Sequence, residues 1–169
     1  ALFAGLGTTG ADPEVAARAR ALHRSHDDDP TSVDPSLAAA AVAVLAATGN
    51  PDDHADFFAR YRAATTPQEE QRYLRCLADF NDPGVFADTM AMTLTDRMRS
   101  QDAPFVLRRG LINRERGPDA WAFIRDRWDE VGARFPSNSI ARLLEGVRWL
   151  SQPDVATDVA AFLADHHVP

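Results

Sequence analysis

The strongest constraint on the fold is a proline that recurs directly after a residue able to cap a helix. Pro13, Pro35, Pro51, Pro67 and Pro83 follow Asp12, Asp34, Asn50, Thr66 and Asp82, and Pro104, Pro118, Pro136 and Pro153 continue the punctuation. An Asp, Asn or Thr side chain accepts a bond from the free N–H groups of a first helical turn. Proline at the next position lacks only an N–H that would be unpaired there anyway. Each pair therefore reads as a helix start. Thr66 is followed three residues later by Glu69, the spacing of a capping box.

Between these starts the apolar residues keep helical spacing. Tyr73, Leu74, Leu77 and Phe80 form one stripe, and Trp121, Ile124, Trp128, Val131 and Phe135 a second. Ile140, Leu143, Leu144 and Val147 form a third, and Val155, Val159, Phe162 and Leu163 a fourth. Such stripes are core faces, and Trp121, Trp128 and Phe135 are assigned to the core. No segment alternates with period two, so no strand is expected. The pattern predicts about eight or nine helices of roughly 12–18 residues joined by short turns. Short links make consecutive helices antiparallel neighbours. The expected fold is all-α, a succession of antiparallel pairs in a HEAT- or armadillo-like superhelix, with a compact orthogonal bundle as the alternative. Residues 1–169 are read as one helical-repeat domain, an apolar fraction of 45% being ordinary for a globular chain.

Candidate chemistry is sparse. Gly5, Gly7 and Gly10 in "GLGTTGADPEV" match G-x-G-x-x-G, but a dinucleotide site needs a strand before the glycines and a parallel sheet around them. Only four residues precede Gly5, so the glycines are expected to end one helix and lead flexibly into the helix capped by Asp12. His23 and His26 stand before Asp27, Asp28 and Asp29, a set that could hold a divalent cation but that an exposed helix end also explains. His54 sits among acids in a first turn, where they complement the helix dipole. His166 and His167 stand at the end of the sequence. Cys76, between apolar neighbours, reads as a buried thiol; one cysteine allows no internal disulfide and fits a reducing, cytoplasmic setting. No H-E-x-x-H, cysteine pair or nucleophile elbow is present, so no catalytic or metal residue is assigned in this chain.

Acidic residues outnumber basic ones by 25 to 18, for a net charge of −7, which argues against nucleic acid or an anionic membrane as partner. The apolar run at the N-terminus is too short for a membrane span. The most distinctive polar stretch runs from Met98 to Val131, "MRSQDAPFVLRRGLINRERGPDAWAFIRDRWDEV". Its arginines could recognise carboxylates through their planar fork or lie on a solvated face in local ion pairs worth about 0–1 kcal/mol each.

Three segments of the chain resemble, in order, the C-terminal helical domain of aminopeptidase N-type zinc metallopeptidases, the branch with the endoplasmic-reticulum and puromycin-sensitive enzymes. They are "TPQEEQRYLRCLADFNDPGVF", the stretch from Met98 on to "GARFP", and "IARLLEGVRWL". The combination of Arg99, Gln101 and Asp102 with Gly117, Ala120, Trp121, Phe123 and Trp128 carries the likeness. The earlier "DPSLAAAAVAVLAATGNPDDHADFFARYRAA" is similar too. The resemblance implies a HEAT-like superhelix that encloses the substrate cavity of a peptidase. Zinc and the general base would belong to a catalytic domain of the same polypeptide, so the implied partners are that domain and peptide substrates. Arg99, Gln101 and Asp102 are expected at the concave face or the domain junction, with Arg108 and Arg109 as further contacts; a helix turns about 100° per residue, so the last two cannot face inward equally. The family would continue past "FLADHHVP" by a helix or two, which makes the chain an excised, truncated piece. A free-standing helical-repeat module that binds a protein or peptide is the competing reading.

Overall fold

The pairs at Pro13, Pro35, Pro51, Pro67 and Pro83 each open a helix, whereas Asp29-Pro30 follows the end of one and lies in a turn. The computed structural model describes residues 2–166. Its helices are α1 (Leu2–Thr8), α2 (Pro13–Asp28), α3 (Pro35–Thr48), α4 (Pro51–Ala63), α5 (Pro67–Cys76), α6 (Pro83–Met92), α7 (Ala103–Ile112), α8 (Gly117–Asp126), α9 (Trp128–Arg134), α10 (Ser137–Leu144) and α11 (Pro153–Asp165). Two 3-10 turns, Leu77–Asp79 and Glu145–Trp149, complete the set. No strand occurs among the described residues, and the fold is all-α.

The caps act as expected at most starts. Asp12 accepts from Glu14 N at 2.9 Å and Val15 N at 3.1 Å; Asp34 accepts from Ser36 N and Leu37 N at 2.9 and 3.2 Å. Asp82 accepts from Val85 N at 2.9 Å. The capping box, however, forms at α4 and not at Thr66. Asp53 N donates to Asn50 Oδ1 at 3.0 Å while Asn50 N donates to Asp53 Oδ2 at 2.9 Å, whereas Thr66 caps α5 with the single bond from Glu69 N at 3.3 Å.

The helices are more numerous and shorter than the periodicity predicts, from 7 to 16 residues. The Trp121–Phe135 stripe is divided between α8 and α9 by Arg127, whose φ of −120° and ψ of 28° leave the helical region. An apolar stripe survives such a break because the chain re-enters helix with its next apolar residue still facing the core. Trp121 and Phe135 are buried, as expected, but Trp128 is half-buried. The glycine-rich start is also corrected: Gly5 and Gly7 lie inside α1. Gly7 is buried, and a Cβ there would stand 2.5 Å from Val44 Cγ2 on α3. It permits two helices to touch and gives no flexible lead.

The chain divides into two compact units, Ala1–Val85 and Phe86–Pro169, with α6 spanning the division. In the first unit α3, built almost entirely from Ala, Val and Leu, lies at the centre against α1, α2 and α5. A helix apolar on nearly all sides has to be enclosed. Ion pairs tie α2 to α4: Arg20 donates to both carboxylate oxygens of Asp53 at 2.7 Å, and Arg60 to both of Asp27 at 2.7 Å. Arg20 and Asp27 are seven residues apart, as are Asp53 and Arg60, two turns along one face each. Pairing in the same order along both chains makes the two helices parallel.

In the second unit α7 is central, packed on α8, α10 and the turn Glu145–Trp149. Its face of Ala103, Val106, Leu107, Gly110 and Leu111 is buried. Gly146 lets that turn sit directly on α7; a Cβ would lie 2.8 Å from Leu111 Cβ and 3.1 Å from Arg108 O.

Candidate functional site

The residues singled out from sequence gather where α7 begins. Ahead of it, Thr93 and Thr95 fold their hydroxyls back onto Met90 O and Met92 O at 2.6 and 2.9 Å. Arg134 of α9 then donates to Thr93 O at 3.0 Å, Thr95 O at 2.7 Å and Met98 O at 3.0 Å. The carbonyls that follow a helix end need donors, and a guanidinium supplies several at fixed angles. With Met98 fully buried, this clasp fixes the backbone directly ahead of Arg99. Sequence reasoning missed Arg134: it binds backbone carbonyls 36 to 41 residues away, which no side-chain pattern encodes.

Arg99 Nε lies 3.0 Å from Asp102 Oδ2, pairing an arginine side chain that is 53% exposed with a carboxylate that is 8% exposed. Asp102 occupies the position before α7, yet its backbone is helical (φ −93°, ψ −34°) and its side chain caps nothing. Oδ2 accepts no aligned hydrogen bond, so the contact is one of charge at short range. Gln101 is exposed beside it.

Along α7, Arg109 is exposed and Arg108 half-buried. Gly146 brings Glu145 within reach, and Arg108 Nη2 stands 3.0 Å from Glu145 Oε2. Arg108 and Glu145 line a cleft of about 230 Å³ together with Ser139 and Arg142 of α10. Pro104, Phe105 and Leu143 supply its apolar surface. The sequence drew attention to Arg108; that α10 lies beside it follows from tertiary packing alone.

Several other arginines of the Met98–Val131 stretch form local pairs: Arg116 with Asp119 at 3.2 Å, Arg127 with Glu130 at 3.3 Å, and Arg125 with Asp126 and Asp158, both at 2.8 Å. Trp121 Nε1 donates to the same Asp158 at 2.6 Å, and these bonds hold the Asp158 carboxyl below the usual carboxylate range.

The described histidines do not assemble a metal site. His23, which an exposed helix end would leave solvated, is instead largely buried against Phe57 and Tyr73, and burial lowers its pKa. Asp27 is taken by Arg60, whose Nε also binds Asp56 at 2.7 Å. His54 is buried edge-on to Phe80, and His166 stacks on Phe162 with centroids 3.8 Å apart. His167 lies outside the described residues. Among the described residues no three His, Cys, Asp or Glu side chains stand close enough to hold a metal ion, so they do not fit a zinc centre. No helix among them is long and apolar enough to cross a membrane.

Residues 1–169, the whole chain, match the family described as ERAP1-like C-terminal domain. The chain belongs to this family. Among curated relatives, Aminopeptidase M1-B of Oryza sativa subsp. japonica is 32% identical over 111 residues, 64% of this chain and 12% of that protein. Aminopeptidase M1-D of the same species is 27% identical over 142 residues, covering 82% of this chain and 16% of the relative. Aminopeptidase M1 of Arabidopsis thaliana is 29% identical over 111 residues, 64% of this chain and 12% of the plant protein. The chain thus spans well under a fifth of the length of these relatives.

Proposed function

We propose that this chain is the non-catalytic C-terminal part of a zinc aminopeptidase, where its helices form a HEAT-like superhelix that closes the active-site chamber and helps select peptide substrates. The observation that carries the proposal is the match to an ERAP1-like C-terminal domain over all 169 residues; relatives named as aminopeptidases support it. In this reading zinc and the general base belong to the catalytic domain of the same polypeptide, and that domain and the peptide are the partners. Nucleic acid and membrane play no part, and the net charge of −7 favours that view. The buried Cys76, which forms no disulfide among the described residues, accords with a cytoplasmic enzyme.

Arg99, Gln101 and Asp102 face the substrate or the catalytic domain, on a backbone that Arg134 holds still. Arg99 is the residue to test, because its guanidinium is half exposed while its carboxylate partner is buried. In the full-length enzyme, Arg99→Ala is expected to change kcat/KM about fivefold, roughly 1 kcal/mol, for some peptide lengths and not others, with zinc content unaltered. Identical profiles for both enzymes across a peptide-length series would remove Arg99 from substrate selection.

A further inference from the structure

We propose that the C-terminal end of α2 is an acid-released latch, closed on α4 and α5 while the His23 imidazole is neutral and opened when the ring takes up a proton. The latch belongs to the first unit alone and stands apart from the peptidase reading.

Its parts meet at one point. The His23 ring sits edge-on to Phe57 of α4 and Tyr73 of α5, with centroids 5.8 and 6.5 Å away. Only 11% of its side chain is exposed, and Nε2 is shielded from solvent without a hydrogen bond. Nδ1 of His26, one turn further along α2, is shielded in the same way. Asp27 Oδ2 stands 3.9 Å from His23 Nε2, beyond hydrogen-bond reach, and Arg60 already holds both Asp27 oxygens at 2.7 Å. Arg60 also binds Asp56 at 2.7 Å and lies over the Tyr73 ring, 5.7 Å from its centroid. Asp53 acts on the same region from α4, paired with Arg20. The α1 and α3 helices, which also pack on α2, carry no titratable side chain. A neutral ring suits a slot lined by aromatic carbon. An imidazolium does not, because a buried charge needs a hydrogen-bonded partner; burial accordingly lowers the pKa of His23 against the pull of Asp27 and Asp56. A protonated ring has two ways to satisfy its charge: it takes Asp27 from Arg60, or it leaves the slot for water. Both remove a contact that joins α2 to α4. The Arg20–Asp53 pair, seven residues earlier on α2, stays closed. The helix therefore opens at its end and takes with it the turn in which Asp29 N donates to Ser25 O at 2.9 Å and Ser32 N to Asp29 O at 3.0 Å.

The test is amide hydrogen exchange of the chain at pH 7.5 and 5.5, each rate normalised to that of the unstructured amide. In the open state His23 titrates near 6.5, so opening is favoured by up to about tenfold more at the lower pH. Protection of the amides of His26 to Asp29 and of Ser32 should fall by about that factor, while those of Val106, Leu107 and Leu111 on α7 change less than about twofold. His23→Phe keeps a ring in the slot and takes up no proton, so it should abolish the fall. A fall below about twofold at the end of α2, an equal fall on α7, or an undiminished fall in His23→Phe overturns the proposal. Where that variant fails to fold, the contrast between α2 and α7 in the wild-type chain decides alone.

Discussion

His23 shows how far a single residue's chemistry depends on distant parts of the chain. Its ring meets Phe57 and Tyr73 edge-on at 5.8 and 6.5 Å, its Nε2 makes no hydrogen bond, and Asp27 stands 3.9 Å away. Burial is the largest influence and lowers the pKa; Asp27 and Asp56 pull it up, Arg60 and His26 push it down. The folded state therefore binds a proton less readily than the unfolded chain, whose histidine titrates near 6.5. The neutral ring's contribution is complete above that value and is lost as the pH falls through 6.5 toward the lowered folded pKa. Between pH 7.5 and 5.5 the Tm of the wild-type chain should drop further than that of His23→Phe, which keeps a ring against Phe57. Equal drops in the two proteins would show that His23 contributes nothing to acid sensitivity. At this scale the caps were legible, because a cap acts on its own helix within three residues. The burial of His23 was not: the run His23 to Asp29 reads as polar, and Arg60, which neutralises Asp27 from α4, leaves no local trace.

The helical elements were legible in kind but not in number. Apolar periodicity reports which face is buried and is silent on where the backbone bends, so one tryptophan stripe covered both α8 and α9. The glycines of α1 misled for a related reason: Gly7 is set by the approach of Val44 from another helix. Gly146 is the same device at the candidate site, seating the turn Glu145–Trp149 on α7 and so placing Glu145 against Arg108. Gly146→Ala should cost about 1–3 kcal/mol, the usual range for overpacking, seen as a lower urea midpoint with unchanged slope. A loss below about 0.5 kcal/mol would mean that the turn moves aside freely and does not fix the Arg108–Glu145 pair. Of the site itself, the sequence offered Arg99, Gln101, Asp102, Arg108 and Arg109. It could not offer Ser139, Arg142 or Arg134, which reach the same region only through packing of α9 and α10 around α7.

For the whole molecule, the all-α class follows from proline punctuation and helical periodicity, whereas the family assignment rests on residue combinations and on the match over the whole chain. The matched residues are only 12–16% of the length of these relatives, and under the proposed function the catalytic part of the parent lies outside them. If the parent is a zinc aminopeptidase, the reading frame that encodes Ala1 should continue upstream through an H-E-x-x-H motif and a further zinc-binding glutamate. Sequencing that frame is the most direct measurement. Both elements in one uninterrupted frame is the predicted result; a frame lacking them would contradict the assignment of this chain to a zinc aminopeptidase.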